Sequence, residues 1–212
     1  AATGDTVNSS FTLSGGENLT LSSAEQAGYV RPGTYTVEEL ATSGWFFDNV
    51  NGETNPLQSV TVAAGDNRTL TYQNTQGAQI TVAKNAIGPN GSTTDFSFAA
   101  TGDTTNSSFT LSGGESLTLS SSEQSGYVRP GTYTVEELAT AGWFFDNVNG
   151  ESNPLQSVTV AAGDARTLNY QNTQGAQITV AKNAIGPGGS TTDFSFTAIG
   201  DTVDSSFTLG AG

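Results

Sequence analysis

The two lysines of this chain both occupy a position that should be buried. Lys84 and Lys182 each lie in a copy of the segment ITVAKNAIG. Side chains of a strand alternate between its two faces, so Lys84 shares a face with the apolar residues Ile80 and Val82. Burial lowers the pKa of a lysine and so favours the neutral amine, which is the nucleophilic form. A buried lysine is costly unless it has partners, so partners are expected.

Two further strand-like segments carry one polar residue at the same depth. Glu137 ends the inward-facing series of GTYTVEEL, whereas its neighbour Glu136 points outward. Asn172 ends the inward-facing series of TLNYQN. Burial would raise the pKa of Glu137 and keep it protonated, so that it could pass protons between reacting groups. One lysine, one glutamate and one asparagine in the inward phase predict that the three side chains meet.

A repeat of 98 residues organises the elements that position these side chains. TGDTVNSSFTLSGG begins at Thr3, TGDTTNSSFTLSGG at Thr101 and IGDTVDSSFTLGAG at Ile199. A period of this length is typical of one domain per repeat. The linker-like composition of NTQGAQ favours three units: a domain lacking its first strands (1–77), a complete domain (78–175) and the opening strands of a further domain (176–212).

Each full repeat contains eight short strand-like segments separated by turn residues. They are AQITVAK, DFSF, SSFTL, ESLTLS, GTYTVEEL, GWFFDN, QSVTVAAG and ARTLNYQN. No window shows a sustained helical period, and Thr, Val, Tyr and Phe favour strands. The sequence predicts an all-β fold of tandem Ig-like β-sandwich domains.

Composition excludes several classes of function. The net charge of −14 and the pI of about 4.1 argue against partners with phosphate backbones or anionic membrane surfaces. The chain has no Cys, His or Met, which excludes thiol chemistry, histidine-based triads and disulfides. No apolar run approaches the length of a membrane span. We therefore expect no nucleic-acid partner, no membrane insertion, no metal site and no cofactor.

The order ITVAK, GTYTVEEL, LNYQNT, with DFSF and AGW between, resembles the Cna B-type or SpaA-like domains of bacterial surface proteins. The resemblance spans the whole repeat and implies a prealbumin-like fold. In that family a lysine on the first strand often bonds covalently to an asparagine on the last strand, assisted by a buried glutamate. Carried over by motif position, these residues are Lys84, Asn172 and Glu137.

Three arrangements of Lys84 stay open at this point. It could form an isopeptide bond with Asn172, it could form a buried ion pair with Glu137, or its amine could reach solvent. Glu39 and Asn74 repeat the acceptor half of the site in the first unit, and Lys182 repeats the lysine in the third. We expect these partial sites to be completed by sequence outside this segment or by a neighbouring chain.

Two other motifs predict contacts rather than chemistry. DNVNGE, at 48–53 and 146–151, resembles a calcium loop weakly, because a valine falls on a ligand position, and a solvated turn is the simpler interpretation. Alternation in GWFF places Trp143 and Phe145 on the core face. Phe144 is left on the other face, where we expect a contact between domains or chains.

These features favour a structural role over the alternatives. We expect tandem domains of an extracellular fibre, stalk or surface-layer protein whose partners are neighbouring copies of the same repeat. The alternative is an adhesin whose repeats bind glycan or a cell surface. An enzyme is the least favoured class, since the buried trio leaves no room for a substrate.

Overall fold

The computed structural model describes residues 1–185, 192–200 and 206–210. Every regular element in these ranges is a β-strand, so the predicted all-β fold is confirmed. None of the described elements is a helix with the length and apolar character needed to cross a membrane. Three ranges of the predicted third unit lie outside the described residues: 186–191, 201–205 and 211–212.

The first 77 residues contain five strands. They are β1 (Ala2–Thr3), β2 (Gly33–Glu38), β3 (Trp45–Val50), β4 (Leu57–Val62) and β5 (Tyr72–Gln76). One sheet has the order β1-β2-β4, and β3 pairs with β5. This part of the chain therefore forms an incomplete sandwich.

The following repeat contains all eight predicted strands. They are β6 (Gln79–Ile87), β7 (Phe96–Thr101), β8 (Ser108–Leu111), β9 (Ser116–Thr118), β10 (Gly131–Glu137), β11 (Trp143–Val148), β12 (Leu155–Val160) and β13 (Ala165–Gln174). They form two four-stranded sheets with the orders β12-β10-β7-β8 and β11-β13-β6-β9. Ile80 and Val82 from one sheet and Phe98 and Val135 from the other are at most 1% exposed in a shared core. The predicted β-sandwich is confirmed.

The first and last strands of this domain lie side by side. β6 and β13 pair in parallel, with Tyr170 opposite Lys84, while the other strand pairs of both sheets are antiparallel. Asn172 follows Tyr170 by two residues and returns to the same face of β13. The pairing therefore brings the lysine and the asparagine to one depth of the core.

In the first repeat, two segments whose counterparts are strands of the complete domain do not form strands. Residues 10–13 and 18–20, the counterparts of β8 and β9, form no strand. Their pairing partners in the complete domain are β7 and β6, of which this part of the chain holds only the short counterpart β1. As a result Leu13 is 49% exposed, whereas its counterpart Leu111 is 4% exposed.

The first copy of NTQGAQ, residues 74–79, is held by main-chain hydrogen bonds. Its first three residues, 74–76, belong to β5, and Gln79 already begins β6. Between them, Gly77 N–H donates to Gly44 O at 2.8 Å, and Ala78 exchanges two main-chain hydrogen bonds with Val128. These polar residues therefore pair along strand edges.

The chain divides into two compact units, Ala1–Gln174 and Gly175–Gly212. In the second unit, β14 (Asp193–Thr197) pairs antiparallel with β15 (Ser206–Gly210). The rings of Phe196 and Phe207 stack with their centroids 5.4 Å apart. Residues 175–185 of this unit form no strand, and Ile178 is 93% exposed.

Candidate crosslink site

The structure brings Lys84, Glu137 and Asn172 together in the core of the complete domain. Lys84 Nζ lies 3.1 Å from each carboxylate oxygen of Glu137 and donates to Oδ1 of Asn172. All three residues are at most 4% exposed. The side chain of Lys84 is fully buried, so the alternative in which it reaches solvent is wrong.

Aromatic rings close the site to water. Lys84 Nζ lies 4.1 Å from the centroid of the Phe96 ring. Trp143 meets that ring edge-on at 5.1 Å, and Phe98 meets Tyr170 in the same way at 5.1 Å. Trp143 was predicted only as a core residue. Strand alternation could not show that Trp143 packs against the Phe96 ring that contacts Lys84.

Burial shifts both ionisable groups towards their neutral forms. Desolvation lowers the pKa of Lys84, and the nearby charge of Glu137 opposes this shift only in part. Desolvation raises the pKa of Glu137, against the opposing effects of Lys84 and Asn172. Both pKa shifts run towards the uncharged amine and the protonated carboxyl group, which are the forms that amide exchange requires.

An equivalent acceptor pair in the first repeat has no lysine. Asn74 Nδ2 donates to Glu39 Oε1 at 2.9 Å. Glu39 Oε2 is buried without a hydrogen-bond partner, the one such side-chain atom in the described part of the chain. In the complete domain the matching oxygen accepts from Lys84, so the geometry leaves a position for one amine.

The second lysine also lies beside a phenylalanine ring. Lys182 Nζ lies 4.1 Å from the centroid of the Phe194 ring, the same distance as between Lys84 and Phe96. It donates to the main-chain oxygen of Asn183 at 2.7 Å in an exposed setting. No carboxylate forms an ion pair with Lys182 among the described residues.

The polar groups of the DNVNGE loops serve the turns themselves. Asn147 Oδ1 accepts from Gly150 N–H, and Asn149 Oδ1 accepts from Asn169 N–H. Asn149 has a positive φ of 51°, which asparagine tolerates in tight turns. Across the ranges that the structure describes, no three acidic side chains form a group that could hold a metal ion.

Pilins and pilus adhesins are among the solved structures that resemble this chain. No family model and no curated protein matches the sequence. The pilus-presented adhesin Spy0125 (Cpa) aligns at 22% identity and a TM-score of 0.37 over 47% of this chain, and the chain spans only 28% of that adhesin.

Two pilins align over more of the chain. The major pilin from Streptococcus pyogenes aligns at 14% identity and a TM-score of 0.30, covering 70% of this chain and 72% of the pilin. GBS52, the minor pilin of Streptococcus agalactiae, aligns at 12% and 0.28, covering 73% and 65%. Likenesses at this level do not establish a function.

Proposed function

We propose that this chain is a structural, non-enzymatic segment of an extracellular fibre or surface stalk, whose domains are closed by internal Lys–Asn isopeptide bonds. The observation that carries the proposal is the buried contact of Lys84 with both Glu137 and Asn172. The contact between Lys84 and Asn172 joins the first strand of the domain to the last. A fibre domain that must resist pulling needs a link at this place, because tension enters through β6 and leaves through β13.

The bond forms by amide exchange within the folded domain. The neutral amine of Lys84 attacks Cγ of Asn172, a new C–N bond forms, and the bond from Cγ to the original amide nitrogen breaks. Protonated Glu137 gives its proton to the departing nitrogen, which leaves as ammonia, and regains a proton from the attacking amine. The domain performs this step once, on itself, and no external co-reactant is needed.

Intact-mass spectrometry of the unfolded protein tests the covalent bond. We expect the parent chain to be lighter than its sequence mass by one ammonia, and the variants Glu137→Gln and Asn172→Ala to show no such loss. Asn74→Ala makes the matched control for the internal bond, since the same substitution in the first repeat leaves Lys84 and Asn172 in place. A parent chain at its full sequence mass would contradict the proposal.

We propose further that the incomplete first repeat is completed by strands equivalent to β6 and β7, supplied by a neighbouring copy of the chain. Residues 177–185 have the same sequence as β6, and β14 repeats the Phe-Ser-Phe of β7. Lys182 would then meet the buried oxygen of Glu39 that lacks a partner. Its bond partner would be Asn74.

The association of copies at high concentration tests this second step. Parent chains should form dimers and longer species that survive boiling in detergent, with a second ammonia lost for each bond between chains. Lys182→Arg should abolish these species while leaving the internal loss of ammonia unchanged. Covalent oligomers that persist in this variant, or a parent chain that forms none, would contradict strand complementation.

A further inference from the structure

Two consecutive repeats meet in a specific joint, formed by residues 42–48 of the first repeat and residues 123–129 of the second. Arg129 is its central residue. Its Nη1 lies 2.8 Å from Asp48 Oδ1, and its Nη2 donates to Phe47 O at 3.1 Å. Glu123 holds the same guanidinium through two hydrogen bonds, at 3.2 and 3.0 Å. The joint is thus organised around one cation that both repeats bind.

Apolar packing and main-chain contacts complete the joint. The Arg129 guanidinium lies 4.7 Å from the centroid of the Phe46 ring, which is fully buried. Gln124 Nε2 donates to Trp45 O at 3.1 Å. A Cβ on Gly44 would lie 3.2 Å from the Tyr127 ring, so the absence of a side chain there lets the repeats approach closely.

The chain carries both halves of this joint a second time. Thr140, Trp143, Phe144 and Asp146 repeat the first half, and we call them the phenylalanine face. Glu25, Gln26, Tyr29 and Arg31 repeat the second half, and we call them the arginine face. The residue types are identical at every one of these positions.

Both repeated faces are uncovered. Phe144 is 67% exposed, whereas its counterpart Phe46 is 0% exposed. Tyr29 is also 67% exposed, and the side chain of Arg31 is 65% exposed against 30% for Arg129. No cation forms an ion pair with Asp146 within the described ranges, although Thr173 already orients its carboxylate with a hydrogen bond of 2.8 Å.

We propose that the arginine face of one copy of this chain docks on the phenylalanine face of a second copy and reproduces the internal joint. The charges match, since Arg31 would pair with Asp146 as Arg129 pairs with Asp48. Glu25 already holds Arg31 as Glu123 holds Arg129. The two faces differ, so the contact is heterologous and leaves one free face at each end, a geometry that extends into a filament.

This joint sets the angle and spacing of successive domains and needs no covalent bond. Among its residues only Trp143 also lines the crosslink site, through its contact with Phe96. The variants that test the joint leave Trp143 unchanged, so the failure of the joint and that of the isopeptide proposal are separable. Both faces occur in the same chain, so self-association of the full chain measures their docking.

A charge exchange between the two faces tests the joint by sedimentation equilibrium up to millimolar concentration, with every chain, the parent included, carrying Lys182→Arg so that no covalent bond forms between chains. Asp146→Arg and Arg31→Asp should each weaken self-association by about tenfold or more, because each opposes like charges in a desolvated contact. The double variant carrying both changes should regain most of the lost association. Phe144→Ser should weaken association without altering charge.

Glu151→Arg is the matched control, since it changes the net charge as Asp146→Arg does but lies on an exposed turn outside the face. It should leave self-association close to that of the parent. Rescue in the double variant also separates the joint from strand complementation, which involves neither Asp146 nor Arg31. A monomeric parent chain, equal association of all variants, or a double variant no stronger than its singles would overturn the proposal.

Discussion

Replacing Glu137 by glutamine removes the group that transfers protons while keeping the size of the side chain. The variant retains Lys84 and Asn172 in the same pocket, but the amide of glutamine cannot accept and release a proton as the carboxyl group does. We therefore expect the isopeptide bond not to form. The folded domain should persist with a free amine and a free amide.

The expected loss of stability follows from the loop that the bond closes. Lys84 and Asn172 lie 88 positions apart in the chain. Closing a loop of that length stabilises the native state by about 4–5 kcal/mol in the chain-entropy treatment. For a domain of this size the loss corresponds to a melting temperature lower by about 20–35 °C. Such a change exceeds that of most single substitutions.

Tryptophan fluorescence can follow the crosslinked domain alone. The chain has two tryptophans, Trp45 in the first repeat and Trp143 in the second, so a Trp45→Phe background leaves a single reporter beside the site. Glu39→Gln, the same change at the matching position of the first repeat, is the control and should leave the Trp143 transition in place.

A second variant separates the bond from the ion pair. Asn172→Ala should lower stability to a similar degree, and the double variant Glu137→Gln/Asn172→Ala should be little worse than either single change, because both remove the same bond. Losses of unfolding free energy that add up in the double variant would show that the two residues do not share one bond. A Glu137→Gln domain whose unfolding free energy lies within about 1 kcal/mol of the parent would contradict the isopeptide bond as well.

Three further outcomes follow from the contacts. Burial raises the pKa of Asp48, but the hydrogen bonds of its carboxylate and the charge of Arg129 outweigh burial and hold this pKa below the ordinary 3.8. The joint should therefore keep its full stability above pH 3.8 and loosen as the pH falls through the lower folded pKa. Small-angle scattering measures this loosening. That transition should vanish in Asp48→Asn, and one centred above pH 5 would contradict the assignment. Gly77→Ala places a Cβ 2.9 Å from the Phe46 ring and should destabilise the joint by about 1–3 kcal/mol in thermal unfolding, whereas an unchanged melting curve would show that the ring moves freely. Tyr170→Phe removes a buried hydrogen bond of 2.8 Å to a main-chain oxygen and should reduce the free energy of unfolding by about 1–2 kcal/mol in denaturant; no change would mean that the oxygen finds another donor.

Much of the site could be predicted from the sequence because strand alternation is a local property. Counting inward positions from Ile80 was enough to place Lys84 in the core, and the same count placed Glu137 and Asn172 there. Phe144 was predicted to be outward, and it is. These predictions needed only the period of two and the cost of an isolated buried charge.

The joint between repeats could not be predicted in the same way. Arg129 and Asp48 lie 81 positions apart, and their pairing depends on how two domains approach each other. The available signal was weak: an arginine recurs at positions 31 and 129, in a chain with only six lysines and arginines in total. The failure of residues 10–13 to form a strand was equally hidden, because their own pattern is that of β8 and only the partner strand is missing.

Tryptic digestion of the denatured parent chain is the most direct test of the bond between Lys84 and Asn172. Trypsin does not cut at a modified lysine or before proline, so a bonded Lys84 leaves residues 69–166 uncut and attached to residues 167–182, which carry Asn172. We expect this branched product, lighter by one ammonia than its two parts together. Separate peptides 69–84 and 167–182 at their full sequence masses would contradict it.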